Sequence, residues 1–418
     1  MIFIFFNYLQ KENISYCITN GYIDIISQKD TDSDIDMLFK KQDFNNIENI
    51  LKAFCKENNL QIVQFLHHDL YAKNIFLYNS KDKQFLNLDI YGELSRRGIV
   101  FFNENNIFKS IDSYENIPIL STEKEFIQYL VKKLDKNDFS KDTFVYLRNL
   151  YLKSQDKCDI ELKKKFLNKF NILIDSFVND DYEKIVINKD ILIKDFDSLK
   201  KINLTKKVLN LGRTVKRIIK PTGLTISFLG SDGAGKSTII DEILEKRLPF
   251  RRKDYFHLKP LKSKNEKNTT VEDPHKYPPY SKLKSYIKLL YFIYQYNFGW
   301  LKNIVPLKIK SSLVIFDRYF DDMLVDTKRY RYGGSVGVAK FARLFIPKPD
   351  IYFILTTDPK VIYERKQEVA FEELERQVKE YRALADGKRY FNIDVSRTPE
   401  DITKEIIQIM MENMNERY

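Results

Sequence analysis

The chain has 418 residues, enough for two or three domains that each bury a core of their own. Hydrophobic residues make up 43% of it and aromatic residues 14%, a composition that excludes a wholly disordered protein. The formal net charge of +12 favours anionic partners such as nucleotides, phosphorylated glycans or an acidic membrane surface.

The three cysteines, Cys17, Cys55 and Cys158, lie far apart and form no C-x-x-C pair. They predict a reducing, cytoplasmic location and neither a disulfide framework nor a zinc site. The apolar start MIFIFFNYLQ lacks a basic segment and a small-residue cleavage site, so it predicts a core helix rather than a signal peptide. No run of about 18 uncharged apolar residues occurs, and we expect no transmembrane segment.

The amino-terminal segment predicts an α+β arrangement that carries acidic residues on its strands. Asp34 and Asp36 lie two residues apart on one predicted strand and therefore share a face, and Asp89 lies on a later strand. Three such carboxylates can hold Mg²⁺ ions. The predicted helices are 2–11 and 43–58, and the predicted strands are 15–19, 32–39, 61–66, 74–79 and 84–92.

This segment resembles the nucleotidyltransferase fold of the DNA polymerase β superfamily. The motif of that family is a turn, followed by Asp-x-Asp and then by a later Asp. The resemblance covers residues 1–118 and implies that Asp34, Asp36 and Asp89 are metal ligands. The turn is Asn20–Gly21, where the family has Gly-Gly or Gly-Ser. Because that turn packs on the nucleotide phosphates in the family, the resemblance implies the fold and leaves activity open.

Residues 119–220 form a helical region in the prediction. Between 121 and 217 apolar residues recur at i, i+3 and i+4 with lysines on the other face. This region is either a cap on the preceding domain or a spacer. Its last segment, 209–220, is basic and amphipathic; we expect a connecting helix, and peripheral membrane contact stays open. Pro221 breaks the helix and marks the domain boundary.

The strongest motif of the chain lies in LTISFLGSDGAGKSTIID, residues 224–241. Gly230, Gly235, Lys236 and Ser237 fit G-x-x-x-x-G-K-[ST] between a predicted strand and a predicted helix. The glycines let backbone N–H groups converge at a helix N-terminus, where they bind phosphate. Lys236 adds a positive charge for the β- and γ-phosphates, and Ser237 is placed to ligate Mg²⁺. The motif predicts nucleoside triphosphate binding.

Further strands follow this loop and alternate with helices. A polar connection that contains Pro274 leads into a predicted helix over 281–303. The alternation predicts a parallel sheet flanked by helices, with ligands at the carboxyl ends of its strands. The P-loop, the pair Asp317–Arg318 and Lys259 all fall at those ends. The predicted strands are 224–229, 254–260, 313–319, 350–358 and 389–395.

Three ordered motifs in 221–418 resemble the thymidylate kinase family: SDGAGKST at 231–238, VIFDRY at 314–319 and PDIYFILTTDPKVIYERK at 349–366. The resemblance implies ATP and Mg²⁺ as cofactors. It implies a transfer role for Lys236, Asp317, Arg318 and Arg365, and metal ligation by Ser237 and Asp317. Arg376 is a candidate lid arginine. The implied donor-binding residues are Gly230, Ser231, Asp232, Gly233, Ala234, Gly235, Lys236, Ser237 and Thr238.

The acceptor side departs from the family. Leu229 stands where the family usually has glutamate, and the second strand ends in His257-Leu258-Lys259-Pro260 where the family has Arg-Glu-Pro-Gly. The charged residues Asp321, Asp322, Asp326, Arg329 and Arg331 replace a segment that faces the base. Such a cluster suits a phosphorylated or polyhydroxylated acceptor as well as a pyrimidine.

The sequence therefore predicts an ATP- and Mg²⁺-dependent kinase of the thymidylate kinase type, acting on a nucleoside monophosphate such as dTMP. Two alternatives stay open: a kinase for a sugar or glycan in surface-polysaccharide assembly, and a nucleotide-gated regulatory protein with a nucleotidyltransferase domain. A homodimer is a further open prediction. Nucleic acid binding has only the net charge in its favour and ranks last.

Overall fold

The computed structural model describes residues 1–27, 34–102, 104–200, 204–261 and 277–418. The first two residues of the predicted strand 32–39, and Pro274 with most of the connection around it, lie outside these ranges. The chain forms two compact units, Met1–Val215 and Lys216–Tyr418. Within the described ranges no helix combines the length and the apolar character needed to cross a bilayer.

The first unit combines strands and helices. Its strands are β1 (Tyr16–Ile18), β2 (Ile35–Phe39), β3 (Gln61–Asp69), β4 (Ala72–Asn79), β5 (Gln84–Tyr91), β6 (Leu94–Arg96), β7 (Ile99–Phe102), β8 (Ile111–Tyr114) and β9 (Ile117–Leu120). Its helices are α1 (Ile2–Lys11), α2 (Tyr22–Ile26), α3 (Lys41–Asn45), α4 (Ile47–Asn58), α5 (Glu104–Phe108), α6 (Thr122–Asp135), α7 (Lys141–Lys153), α8 (Gln155–Lys165), α9 (Phe170–Val178) and α10 (Tyr182–Asp197). The next helix, α11 (Leu204–Ile219), crosses the boundary between the units.

Seven of these strands form one mixed sheet in the order β3-β4-β5-β2-β1-β9-β8, and β6 pairs with β7 in a separate hairpin. The neighbours β2 and β5 run parallel, as do β1 and β9, while the other neighbours are antiparallel. The predicted helices of 121–217 are confirmed. Strands β6 to β9 have no counterpart in the sequence prediction, because segments of three or four residues are too short to show an alternating pattern.

Helices α6 to α10 share a hydrophobic core with the strands that precede them. Phe101 of β7, Phe126 of α6 and Phe177 of α9 are almost completely buried in this core. The ring of Phe126 packs edge-on against the ring of Phe177, with centroids 5.2 Å apart. The apolar stripe seen in the sequence of these helices therefore covers the sheet region and packs the helices on one another.

The second unit is built on five strands: β10 (Leu224–Leu229), β11 (Arg252–His257), β12 (Ser312–Asp317), β13 (Ile351–Thr356) and β14 (Tyr390–Asp394). Its helices are α12 (Lys236–Glu245), α13 (Lys282–Gly299), α14 (Val305–Ile309), α15 (Phe320–Val325), α16 (Val336–Ala342), α17 (Pro359–Arg365), α18 (Phe371–Arg382) and α19 (Pro399–Asn415). A π-helical turn, Trp300–Ile304, links α13 to α14, and a 3₁₀ turn, Arg343–Phe345, follows α16.

All five strands run parallel in the order β11-β12-β10-β13-β14, and helices pack against them. The predicted parallel α/β architecture is confirmed. All six residues of β10 and all six of β13 are buried, which explains their continuous apolar runs in the sequence. Because β10 lies in the middle of the sheet, the loop that follows it has a neighbouring strand end on each side.

One buried ion pair connects a helix of the first unit to its sheet. Lys132 Nζ on α6 donates to Asp36 Oδ2 on β2 over 2.6 Å, and the two side chains are only 16% and 9% exposed. Asn20 and Tyr91 also donate to the Asp36 carboxylate, over 3.0 and 2.8 Å. Burial opposes ionisation of this carboxyl, but the charge of Lys132 and these hydrogen bonds hold the pKa of Asp36 below its ordinary value.

We predict that Lys132→Met lowers the free energy of unfolding by about 3 kcal/mol, because it leaves a buried carboxylate without its counter-charge. The measurement is urea unfolding of the full chain followed by circular dichroism. Lys133→Met is the matched control: its partner Asp138 is 61% exposed, so we expect a loss below about 1 kcal/mol. Equal losses in the two variants would show that the Asp36 pair is not structural.

Candidate active site

The loop after β10 is shaped by glycines. Gly230 has φ 146°, and a Cβ built on it would lie 2.5 Å from the carbonyl oxygen of Leu355, the residue beside it on β13. Gly235 has φ 79° and caps α12, which begins at Lys236. Side chains at these positions would clash or be strained. The backbone of the loop therefore lies at the amino terminus of the ten-residue helix α12. This is the arrangement that binds phosphate.

Lys236 lies folded over this loop. Its ammonium group donates to the carbonyl oxygens of Gly230 and Ser231, each over 2.8 Å, and the residue is 8% exposed. Burial, followed by the positive charge of Arg318, lowers the pKa of Lys236 to about 8. A bound polyanion would favour the charged form of this buried ammonium.

Asp317 ends the strand beside β10. It is the register partner of Phe228, so the tips of β10 and β12 lie side by side. Its Oδ2 accepts from Tyr255 over 3.2 Å, whereas its buried Oδ1 has no hydrogen-bond partner among the described residues. A carboxyl oxygen in this position fits a hard cation such as Mg²⁺, and the hydroxyl of Ser237 lies in the first turn of the neighbouring helix α12.

Arg318 is a buried guanidinium held by two carboxylates. Its Nη1 donates to both oxygens of Asp322 over 2.9 Å, and its Nη2 donates to Asp232 of the loop. Its backbone has φ 68°, and its N–H donates to the carbonyl oxygen of Phe228 over 2.9 Å. Arg318 thereby joins the glycine-rich loop to the end of β12.

Asp232 also accepts from Arg329, over 2.7 and 2.5 Å, and lies beside the carboxyl group of Glu368. Burial opposes ionisation, but a side-chain hydrogen bond with Glu368 and the charges of Arg318, Lys236 and Arg329 hold the pKa of Asp232 below its ordinary value. The same hydrogen bond raises the pKa of Glu368. The loop carboxylate is therefore charged and bound by two arginines.

The acidic residues that follow Arg318 face inward. Asp322 is fully buried and accepts from Arg318, Tyr330 and Tyr381. Asp321 accepts from Arg343 Nε over 2.7 Å and from Tyr390. Asp326 is 4% exposed and accepts from the backbone N–H of Arg329 over 3.0 Å. Each of these three carboxylates therefore has a partner inside the fold, and their part in recognising an acceptor stays a prediction.

A group of three cations, Lys259, Lys288 and Arg331, lies on the other side of Tyr330. Burial, followed by the charges of Lys259 and Arg331, lowers the pKa of Lys288 to about 8. Lys288 Nζ donates to the Tyr330 carbonyl over 2.6 Å, and Arg331 lies 4.2 Å above the ring of Tyr280. We call these three residues the cation group. Like charges held this close are stabilised by an anion.

Two arginines assigned from the sequence have other contacts. Arg365 is exposed at the end of α17 and donates to the carbonyl oxygen of Val395 over 3.3 Å, beside the end of β14. Arg376 pairs with Glu373 and Glu380 on its own helix. The segment between them, residues 366–370, lies over the loop, because a Cβ on Gly233 would lie 3.0 Å from Lys366 Cβ.

Two of the three acidic residues predicted to bind metal in the first unit lie side by side on neighbouring strands. Asp36 and Asp89 are register partners on β2 and β5, and burial, then the charge of Asp36, raises the pKa of Asp89 to about 6. Asp34 is exposed and precedes β2, which begins at Ile35, so strand alternation does not place it beside Asp36. In the part of the chain described here, no three His, Cys, Asp or Glu side chains are grouped to hold a metal ion. The ammonium of Lys132 fills the cation position at Asp36, so the pair does not fit Mg²⁺.

Sequence reasoning missed Lys288, Tyr330 and Glu368. The sequence gives no signal for Lys288, since it is one of several lysines on an aromatic helix far from the P-loop in sequence. Glu368 is the acidic residue of the short 366–370 segment, and its closeness to Asp232 depends on how that segment folds back. The P-loop, Asp317, Arg318 and Arg329 are brought together as a group.

Residues 228–406 match the sequence model of the thymidylate kinase family. The chain is similar to a probable thymidylate kinase of Pyrobaculum aerophilum, with 29% identity over 204 residues, or 44% of this chain and 95% of that protein. A probable thymidylate kinase of Methanosarcina barkeri is 27% identical over 209 residues, 46% of this chain and 97% of that protein. A solved thymidylate kinase from Candida albicans aligns with a TM-score of 0.35 and 18% identity over 46% of this chain and 93% of that one. The second half of the chain therefore carries a thymidylate kinase domain and belongs to an enzyme of the kinase class.

Proposed function

We propose that the second unit transfers the γ-phosphoryl group of ATP to the phosphate of a nucleoside monophosphate of the dTMP type. The observation that carries this proposal is the pairing of a phosphate-binding loop with the cation group. The loop supplies the amides and Lys236 for the donor, and Lys259, Lys288 and Arg331 supply positive charge for the acceptor.

Residues 329–331 connect the two groups of charges. Arg329 binds Asp232 of the loop, Tyr330 hydrogen-bonds through its hydroxyl to Asp322, the partner of Arg318, and Arg331 joins the cation group. Three consecutive side chains thus connect the donor loop, Arg318 and the cations. An acceptor phosphate held by the cation group would be drawn toward the donor phosphates, and positioning of this kind supplies most of the catalysis in phosphoryl transfer.

Arg318 is the proposed stabiliser of the transferring group. Its guanidinium is pre-oriented by Asp232 and Asp322, so no side-chain reorganisation is needed when charge develops on the phosphoryl oxygens. Asp317 Oδ1 and Ser237 Oγ would hold Mg²⁺, which neutralises charge on the donor phosphates when bound. Lys366 and Glu368 lie over the loop and would exclude water from the transfer.

The acceptor class rests on the positive charge of the cation group. A sugar phosphate would use the same cations, so a phosphorylated sugar or glycan is the second candidate acceptor, whereas an uncharged sugar would not use them. The similarity of the matched relatives, both named as probable thymidylate kinases, favours the nucleotide. The proposal includes a cytoplasmic location, supported by three buried cysteines that carry free thiols.

We predict that Asp317→Asn lowers kcat by about a hundredfold to a thousandfold and raises the Mg²⁺ concentration needed for half-maximal rate, because the substitution removes an anionic metal ligand without changing its shape. ADP formation from ATP and dTMP is the measurement. Asp401→Asn, an exposed carboxylate in the first turn of α19, is the control and should match the native enzyme. A normal rate with Asn at 317 would exclude this residue from the site.

We predict that ATP binding takes up protons between about pH 8 and pH 9. The pKa of Lys236 in the free protein is about 8, so part of the population is neutral there, and the bound triphosphate favours the charged form. Calorimetry in two buffers of different ionisation enthalpy should show an uptake of about half a proton per ATP bound at pH 8, and a larger uptake at pH 9. The arginine of the Lys236→Arg variant stays charged at both pH values. ATP binding by this variant should therefore take up no protons, whatever its affinity for ATP. Unchanged uptake in that variant would contradict the assignment.

We predict that Lys288→Ala raises the KM for dTMP about tenfold to a hundredfold and leaves the KM for ATP within about twofold, because charge-assisted contacts to phosphate are lost only on the acceptor side. Lys302→Ala is the control, because Lys302 is an exposed lysine in the π-helical turn that follows α13. Steady-state rates with dTMP, thymidine and a sugar phosphate separate the acceptors. Turnover with the sugar phosphate alone would decide for the second candidate, and turnover with none of them would contradict the kinase proposal.

A further inference from the structure

Helix α11 has its polar side on the protein and its apolar side in solvent. Arg213 Nη1 donates to the carbonyl oxygens of His67 and His68, both over 2.8 Å, within the first unit. Lys206 Nζ donates to Glu93 over 2.8 Å, also within that unit. Within the second unit, Arg217 Nη2 donates to the carbonyl oxygen of Ile309 over 2.8 Å. Positions 206, 213 and 217 are spaced by seven and four residues and therefore lie on one face of the helix.

The opposite face carries a stripe of large apolar side chains. Val208, Leu211, Val215 and Ile218 follow one another at spacings of three and four residues, and Val208 is two positions, or about 200°, from Lys206. Val208 is 69% exposed, Leu211 65% and Ile218 52%. A surface helix of a globular protein normally turns such a stripe toward the core. Here the stripe faces water, where burial against an apolar partner would be favourable.

The charges around the stripe indicate what kind of partner covers it. The segment 204–220 contains six basic residues and no acidic residue. Lys207 and Lys216 flank the apolar stripe on its two sides, and the exposed Lys220 follows the end of the helix. A second copy of this helix would bring like charges together, whereas an anionic surface complements them. The segment also has the composition of helices that lie in the bilayer interface: apolar on one side, rich in lysine and arginine elsewhere.

We propose that α11 binds the surface of anionic phospholipid bilayers, with its axis parallel to the membrane plane. The apolar stripe would enter the boundary between headgroups and acyl chains, and the flanking lysines would contact the lipid phosphates. The polar contacts of Lys206, Arg213 and Arg217 would stay in place, because they lie on the face away from the lipid. The proposal uses no residue of the kinase site and stands independently of the proposed reaction.

The test is flotation of the full chain with vesicles of phosphatidylcholine, with and without phosphatidylglycerol. We expect binding to the anionic vesicles that weakens about tenfold or more on phosphatidylcholine alone, and that falls as salt screens the lysines. The triple variant Leu211→Gln/Val215→Gln/Ile218→Gln should bind about tenfold or more weakly, because it removes apolar area at unchanged charge. Glutamine is a good helix former, and the replaced side chains are exposed, so the helix should persist.

The matched control is the triple variant Leu283→Gln/Leu290→Gln/Leu301→Gln, which removes leucines that are 72%, 67% and 69% exposed on and beside α13. It should float like the native chain. The variant Lys207→Gln/Lys216→Gln/Lys220→Gln should lose the preference for phosphatidylglycerol. The proposal is overturned if the native chain binds neither vesicle, if the α11 triple variant binds like the native chain, or if the α13 variant alone loses binding. Loss of self-association in the α11 variant, without any vesicle binding, would assign the stripe to a second copy of the chain.

Discussion

The site of the second unit depends on one buried cation. Arg318 stands just beyond the end of a buried parallel strand and is shared by Asp232 of the phosphate-binding loop and the fully buried Asp322. A buried guanidinium is tolerable only when its donors are matched by carboxylates, and here the matching carboxylates come from two different parts of the fold. The loop, the end of β12 and the helix after it are therefore fixed together by the same charge.

The surrounding charges follow from that constraint. Asp322 also accepts hydrogen bonds from the hydroxyls of Tyr330 and Tyr381. The backbone carbonyl oxygen of Tyr330 in turn accepts a hydrogen bond from Lys288. Charges thus alternate from the loop to the cation group, with positive groups at Lys236, Arg318 and Lys288 and negative groups between them. The cation group at the end of this series carries positive charge that a phosphate-bearing substrate would neutralise.

In the first unit, too, a buried carboxylate is matched by a cation. Asp36 and Asp89 lie side by side on parallel strands, where two ionised carboxylates would repel each other. Lys132 forms an ion pair with Asp36, while burial and the charge of Asp36 raise the pKa of Asp89. The acidic pattern that resembles a metal site in the sequence is balanced in the structure by a side chain ninety-six positions away along the chain. Its relation to nucleotidyltransferases stays a prediction.

The sequence by itself determined the parallel sheet of the second unit, the P-loop and the pair Asp317–Arg318, because these depend on residues adjacent in the chain: an apolar run, a turn of glycines and a charged strand end. It also predicted the helices of 121–217 from their period. The tertiary structure alone decided which charges meet. In the sequence, Asp321 and Asp322 look like residues of a ligand site. In the structure Asp321 binds Arg343 and Asp322 binds Arg318, both inside the fold. It likewise decided that α11 turns its apolar stripe outward, since periodicity defines two faces of a helix and cannot say which one meets the protein.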